Sequence, residues 1–483
     1  MHCQPPTPEF NVHSIARPVL TTRARCRPFA FLHRAECVTR FPQFGANPTI
    51  QVTYSPARNR PKPRAVRHPD LAQSHAECVT RFPAFPANHT IQVTYRHLKN
   101  LPKPGRVRHP HSSLSPARAT MKTVPGVYLS YPFCAQKCTY CNFASGVLPR
   151  DLEPRYRAAL QREIRAHTWQ WRPETVYLGG GTPSGMDPKA LAAILAAIPG
   201  RPWREATLEA APGGITRDKA EAWAECGINR VSLGVQSFVE NEIRRTGRKH
   251  TAAIVAAELR ILRDAGLGNV NIDLIAGLSA QTEATWRDSL DWIERLAPPH
   301  VSVYMLEVDE DSRLGKEMLL GGVRYGALDT PSDDATAAFY EIAVERLASL
   351  GIARYEISNF ARPGFESAHN LKYWKLEPYI GFGADAHSFD GARRWSNVEA
   401  AEQYAGSANA APADANVSAT SGEKFFVGLR LMAGIQPTAE EWSRFAQPIH
   451  RFLDAGLLEA SQGTLRLTPR GVLLSNEVFQ EFV

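Results

Sequence analysis

Three thiols stand within eight residues, at Cys134, Cys138 and Cys141, in the spacing Cys-x3-Cys-x2-Cys. Thiolates this close on one short loop suit a soft metal. A disulfide would use only two of them, and the context reads as cytosolic. A structural zinc would need a fourth ligand. The other cysteine of residues 121–483 is Cys226, at the end of a predicted helix and of a type commonly buried as a small apolar group. Three thiolates on a four-iron cluster would leave one iron open to a small molecule, which points to catalysis or cofactor binding. Gly179, Gly180, Gly181 and Thr182 form a loop whose backbone can approach a ligand closely. Glu209 and Asp273 could accept from hydroxyls or an ammonium, and Arg248 could meet a carboxylate with a two-pronged hydrogen bond.

These residues need elements to hold them. From Gly126 onward short apolar runs alternate with amphipathic segments, the pattern of successive βα units on a parallel sheet. Strands are predicted at Gly126–Tyr131, Glu174–Gly179, Ala206–Ala210, Arg230–Gln236, Asn269–Ile275 and His300–Leu306. Helices are predicted near Glu153–Thr168, Asp187–Ala197, Arg217–Cys226, Thr251–Ala265 and Glu283–Leu296. The fold class is α/β, a partial (β/α)6 barrel over 121–310. The thiols follow the first strand, the glycines end the second, Glu209 and Gln236 close the third and fourth, and Asp273 and Tyr304 fall late in the last two. In a parallel barrel those ends share one face, where sites are built.

The remaining segments differ in composition. Residues 1–120 hold 17 of the 36 prolines, 9 of the 15 histidines and a net charge of +14, so residues 121–483 carry −6. The segment from Ala35 to Pro42 recurs from Ala76 to Pro83, and Thr49–Tyr54 recurs as Thr90–Tyr95. Such a stretch cannot bury enough apolar surface to offset its ordering entropy. The expectation is a disordered, repeat-containing extension outside the working protein, with Met121 as the working start. A body of net charge −6 lacks the basic footprint of a nucleic-acid binder. No run of about 18 uncharged apolar residues or apolar leader is present, so no integral membrane span and a cytoplasmic location are expected. Residues 311–403 read as a helical and strand extension and 404–421 as an Ala/Ser-rich linker. Residues 422–483, helices followed by a hairpin over Leu457–Leu467, read as a winged-helix-like domain. Its 6 Lys+Arg against 7 Asp+Glu from 423 to 483 favour a lid or partner-docking role over DNA binding.

The cysteine loop after the first strand resembles that of the radical S-adenosylmethionine superfamily. The resemblance narrows to the coproporphyrinogen oxidase-like branch and spans essentially all of 121–483. It is carried by Tyr128–Cys134, Gly179–Pro183, Gly227–Phe238, Gly247–His250, Asn271–Leu278, Tyr355–Phe360 and His369–Trp374. It implies a [4Fe-4S] cluster on Cys134, Cys138 and Cys141 and S-adenosylmethionine chelating the open iron, whose reductive cleavage yields a 5′-deoxyadenosyl radical. It also implies S-adenosylmethionine contacts at Tyr128, Tyr140, Gly180, Gly181, Thr182, Glu209, Gln236, Arg248 and Asp273. Coproporphyrinogen III oxidases of this branch carry a further Cys two residues after the third ligand and an N-terminal substrate-contacting arm. Here that position is Phe143, and residues 121–126 supply no arm. Both features resemble the HemW-type haem chaperones, as does the His-Asn-x-x-Tyr-Trp motif of His369, Asn370, Tyr373 and Trp374, associated with haem. The resemblance therefore implies a chaperone that binds haem and transfers it to an acceptor protein still to be identified, with a reductant for the cluster. The alternative is an oxygen-independent coproporphyrinogen III oxidase. Ala211, Ser130-Tyr131 and Ala384–His387 depart from the usual pattern, which bears on the fine geometry beside the cofactor. His369 has a second reading, as a cap and packing residue at a subdomain seam; His250 and His387 are further candidate haem contacts.

Overall fold

The computed structural model describes residues 125–407, 414–418 (backbone only) and 422–483. The expected extension over 1–120 lies outside the described residues. The six predicted strands form as β1 (Gly126–Tyr131), β2 (Thr175–Gly180), β3 (Glu205–Ala210), β4 (Arg230–Gln236), β5 (Asn269–Ala276) and β6 (His300–Met305). They pair in parallel in chain order. Residues of β1 and β4 are buried throughout, as expected of strands covered on both faces.

The connecting helices are α1 (Leu152–Ala166), α2 (Pro188–Leu195), α3 (Arg217–Glu225), α4 (Glu240–Arg245), α5 (Ala252–Asp264) and α6 (Glu283–Leu296). Their starts are written in the sequence. The Asp187, Thr216 and Thr251 side chains each accept a first-turn backbone N–H, and Thr282 forms a capping box with Thr285. In α1, Leu152, Tyr156, Leu160 and Ile164, each close to one turn from the last, bury one face.

The sheet goes further than expected. Beyond β6 lie β7 (Ala353–Arg354) and β8 (Asn359–Ala361), with β8 antiparallel to β6. On the other side β9 (Tyr379–Phe382) adds a seventh parallel strand beside β1, followed by antiparallel β10 (His387–Phe389), β11 (Arg393–Ser396) and β12 (Asp414–Ser418). Among the described residues β7 and β12 are the two edges, so the barrel stays open. The expected linker over 404–421 is corrected in part. Tyr404 is buried and donates to Glu163 at 2.5 Å, and Asp414–Ser418 pairs with β11. An edge strand needs only backbone hydrogen bonds, so a small polar composition conceals it. Residues 311–403 also carry α7 (Arg313–Leu320), α8 (Asp333–Ser349) and α9 (Ala368–Trp374). After short helices from Glu423 onward comes the expected hairpin, β13 (Leu458–Ser461) with β14 (Thr464–Leu467). It turns at Gln462 and Gly463, both at positive φ.

Candidate functional site

The cysteine loop is tied down on both sides. The Cys134 amide donates to Gly146, and the Gln136 side-chain amide donates to the Gly247 carbonyl. Thr139 donates its backbone N–H to Thr246 and its hydroxyl to Arg245, and the Leu314 amide donates to the Thr139 carbonyl. The short helix α4, which carries no strong periodic signal, thus ends in the turn that clamps the loop.

Cys134, Cys138 and Cys141 line one cleft at the C-terminal end of the strands. Tyr140, Gly180, Gly181, Thr182, Glu209, Gln236, Arg248 and Asp273 line the same cleft. Tyr128 falls instead in an adjoining lobe with Ser130, Phe143 and Asp385, stacked on Tyr177 with ring centroids 6.1 Å apart. The lobes share Phe143, Ser145 and Gly180. Sequence reasoning missed Tyr177, Ser232 and Gln136; apolar or polar residues inside strands and loops carry no signal of their own.

The glycine loop has a definite use. Gly180 sits at φ +108 and donates its N–H to Glu209 at 3.0 Å, while a Cβ on Gly179 would lie 2.9 Å from that carboxylate. Burial holds the Glu209 carboxyl well above the usual carboxylate range, and burial also raises the Cys134 and Cys141 thiols. Gln236 has φ 73, with the β4–β5 register shifting beside it. Its side-chain carbonyl oxygen and the Nε of Arg248 are buried without a hydrogen-bond partner. Buried polar atoms left unmatched in a cleft suit a polar ligand with both donors and acceptors. Among the described residues no three His, Cys, Asp or Glu side chains are placed to share one metal ion.

His369, Asn370, Tyr373 and Trp374, the expected haem contacts, lie away from the cleft that holds the cysteines. Helix α9 packs under the opposite end of the sheet, where His369 touches Thr175 and Gly126, the first residues of β2 and β1. Five residues of strand, about 17 Å, separate Thr175 from Gly180. His369 is fully buried, with Nδ1 2.8 Å from the Thr175 hydroxyl, Nε2 2.8 Å from the Tyr373 hydroxyl, and its ring stacked on Tyr177. Both ring nitrogens are therefore engaged. Glu205, the first residue of β3, accepts from the Ser367 hydroxyl and from the Ala368 and His369 amides, which caps α9. His250 is buried with Nε2 3.1 Å from the Val235 carbonyl. His387 is partly exposed, its Nε2 3.8 Å from Asp385.

Comparison with known proteins now bears on this geometry. The model of the radical SAM superfamily matches residues 128–293. The haem chaperone HemW of Bacillus subtilis (strain 168) is 32% identical over 377 residues, covering 74% of this chain and 98% of the relative. The chain belongs to the HemW haem chaperone family. A second member, HemW of Mycobacterium tuberculosis (strain ATCC 25618 / H37Rv), is 33% identical over 384 residues, covering 75% of this chain and 96% of its own. Among solved structures, the radical SAM enzyme coproporphyrinogen III oxidase (HemN) from Escherichia coli superposes with a TM-score of 0.64 at 20% identity, covering 75% of this chain and 91% of its own. That likeness establishes the shared α/β fold with its parallel sheet. The family's cofactors, a [4Fe-4S] cluster and S-adenosylmethionine, suit the cleft's thiols and unmatched polar atoms.

Proposed function

We propose that this chain binds haem and passes it to an acceptor protein, with a [4Fe-4S] cluster on Cys134, Cys138 and Cys141 and S-adenosylmethionine beside it. What carries the reading is the match along 98% of a haem chaperone's length at 32% identity, set against 20% to the oxidase. Phe143, where the oxidases carry a Cys, lines both lobes of the mouth and supports the same choice.

In the cleft Gly180, Gly181 and Thr182 would take the methionine end of S-adenosylmethionine through backbone groups, and Arg248 its carboxylate. Glu209 would pair with the ammonium, while Asp273 and Gln236 would meet ribose hydroxyls. When bound, the cluster and S-adenosylmethionine supply one-electron chemistry, for which a reductant is the further partner. The residues of this chain bind, orient and shield. A haem iron at this mouth would meet His387 before any other imidazole described above, because Asp385 beside it lines the adjoining lobe while His250 and His369 are buried and engaged.

Incubation of the cluster-loaded, reduced full chain with coproporphyrinogen III and S-adenosylmethionine is expected to release no carbon dioxide. Multiple-turnover decarboxylation would replace the chaperone reading with the oxidase one.

A further inference from the structure

A chain of buried side chains runs through the barrel from the foot of α9 to the cleft. Asp273 accepts from the Asn271 amide nitrogen at 2.7 Å on one oxygen and from the Ser232 hydroxyl at 3.3 Å on the other. The same Asn271 nitrogen donates to Ser232 at 2.8 Å. The Asn271 oxygen lies 2.7 Å from His300 Nδ1, His300 Nε2 lies 3.0 Å from the Tyr355 hydroxyl, and Tyr355 accepts the Ser367 N–H at 3.1 Å. Asn271, Ser232, Asp273, His300 and Ser367 are all buried.

The chemistry of the groups fixes the direction of each bond. A carboxylate only accepts, so the nitrogen of Asn271 must face Asp273 and its oxygen must face His300. The Ser302 hydroxyl has one proton and its nearer partner is Asn359, at 2.8 Å against 3.2 Å for Asn271. The Asn271 oxygen is therefore served by His300 Nδ1–H. Burial keeps this imidazole neutral, since it lowers the His300 pKa well below the ordinary value. Nε2 is then an acceptor and Tyr355 its donor. Every link from Ser367 onward points toward Asp273, and aligned hydrogen bonds polarise one another.

We infer that Tyr355 and His300 are positioning residues for the cofactor site, orienting Asn271 and Ser232 so that Asp273 presents its carboxylate as a fixed acceptor to S-adenosylmethionine hydroxyls. The inference rests on the reading of Asp273 as part of that site. It gives the segment from Tyr355 to α9 a role at the mouth without contact there, because Ser367, which caps α9, also starts the chain.

The test uses the cluster-loaded full chain and S-adenosylmethionine itself, with affinity measured by calorimetry and the His300 tautomer by 15N magnetic resonance. The wild type is expected to hold His300 as the Nδ1–H tautomer. Tyr355→Phe, which keeps the ring, is expected to retain that tautomer, because the Asn271 oxygen still accepts from Nδ1, to shift the Nε2 resonance as its hydrogen bond is lost, and to bind S-adenosylmethionine about fivefold more weakly, with iron and sulfide unchanged. Thr175→Val removes a buried bond to α9 outside the chain and is expected to leave both readouts alone. An Nε2–H tautomer in the wild type, unchanged affinity in Tyr355→Phe, or equal loss in Thr175→Val would each overturn the inference. Absence of binding in the wild type would instead overturn the reading of the cleft, and the inference with it.

Discussion

At the scale of single residues the cleft is a set of costs that a ligand would relieve. Glu209 is 2% exposed, and burial, with the nearby Asp273 charge, raises its carboxyl well above the usual range. A ligand cation beside it would draw the proton off, so S-adenosylmethionine binding is expected to release a proton and to tighten as pH rises through the free-state pKa. Calorimetry in buffers of different ionisation heat reads this directly, and binding that is independent of pH would refute it. Glu209→Gln should flatten the pH dependence and weaken binding about tenfold to a hundredfold, the worth of a charge-assisted hydrogen bond. Because the folded-state pKa lies above the unfolded one, this carboxyl lowers stability as pH rises past its unfolded value, and the Gln variant should be no less stable at neutral pH. The thiols give a second prediction. Ser in place of Cys134, Cys138 or Cys141 should abolish the electron paramagnetic resonance signal of the reduced cluster. Cys226→Ser should leave iron and sulfide unchanged, since its thiol is buried and donates to the Trp223 carbonyl. Loss of the cluster in the Cys226 variant would mean that the ligands are misassigned.

At the scale of elements, residue types alone separate poorly the groups that bind from the groups that pack. The cysteine loop, the glycine turn and the acids at the strand ends were legible because their spacing and their places after strands agree. Helix α9 was not, since His-Asn-x-x-Tyr-Trp serves equally as a ligand set or as a buried seam. The register that sets His369 over Thr175 and Gly126 shows the seam contacts, which the motif alone does not spell out. Glu205 was missed as a cap because an acid at the start of a strand ordinarily faces water. Strands β9 and β12, of four and five residues, were too short for their alternation to register. The structure therefore predicts that His369→Ala acts on folding, costing about 2–4 kcal/mol through a cavity and two unmatched hydroxyls, with the spectrum of bound haem unchanged. His387→Ala should do the reverse, weakening the haem complex with little effect on denaturant midpoint. Denaturation and Soret titration of both variants, with cluster content checked, separate the two roles.

At the scale of the molecule, one open sheet carries both the cofactor cleft and the network that orients it. The parallel order was readable from alternation; the antiparallel additions at both edges, which include part of the expected linker, were not. Among the described residues no helix is long and apolar enough to cross a membrane. Residues 121–483 carry −6, and the mouth of the barrel gathers the three thiols with Glu209, Arg248 and Asp273 in one cleft, a lining that suits a ligand. Whether that ligand set includes haem is decided by titrating the anaerobic, cluster-loaded full chain with haem and following the Soret band. A saturable shift that ends at a fixed stoichiometry is the predicted result. A spectrum that grows as free haem does, with no saturation, would contradict the proposed function.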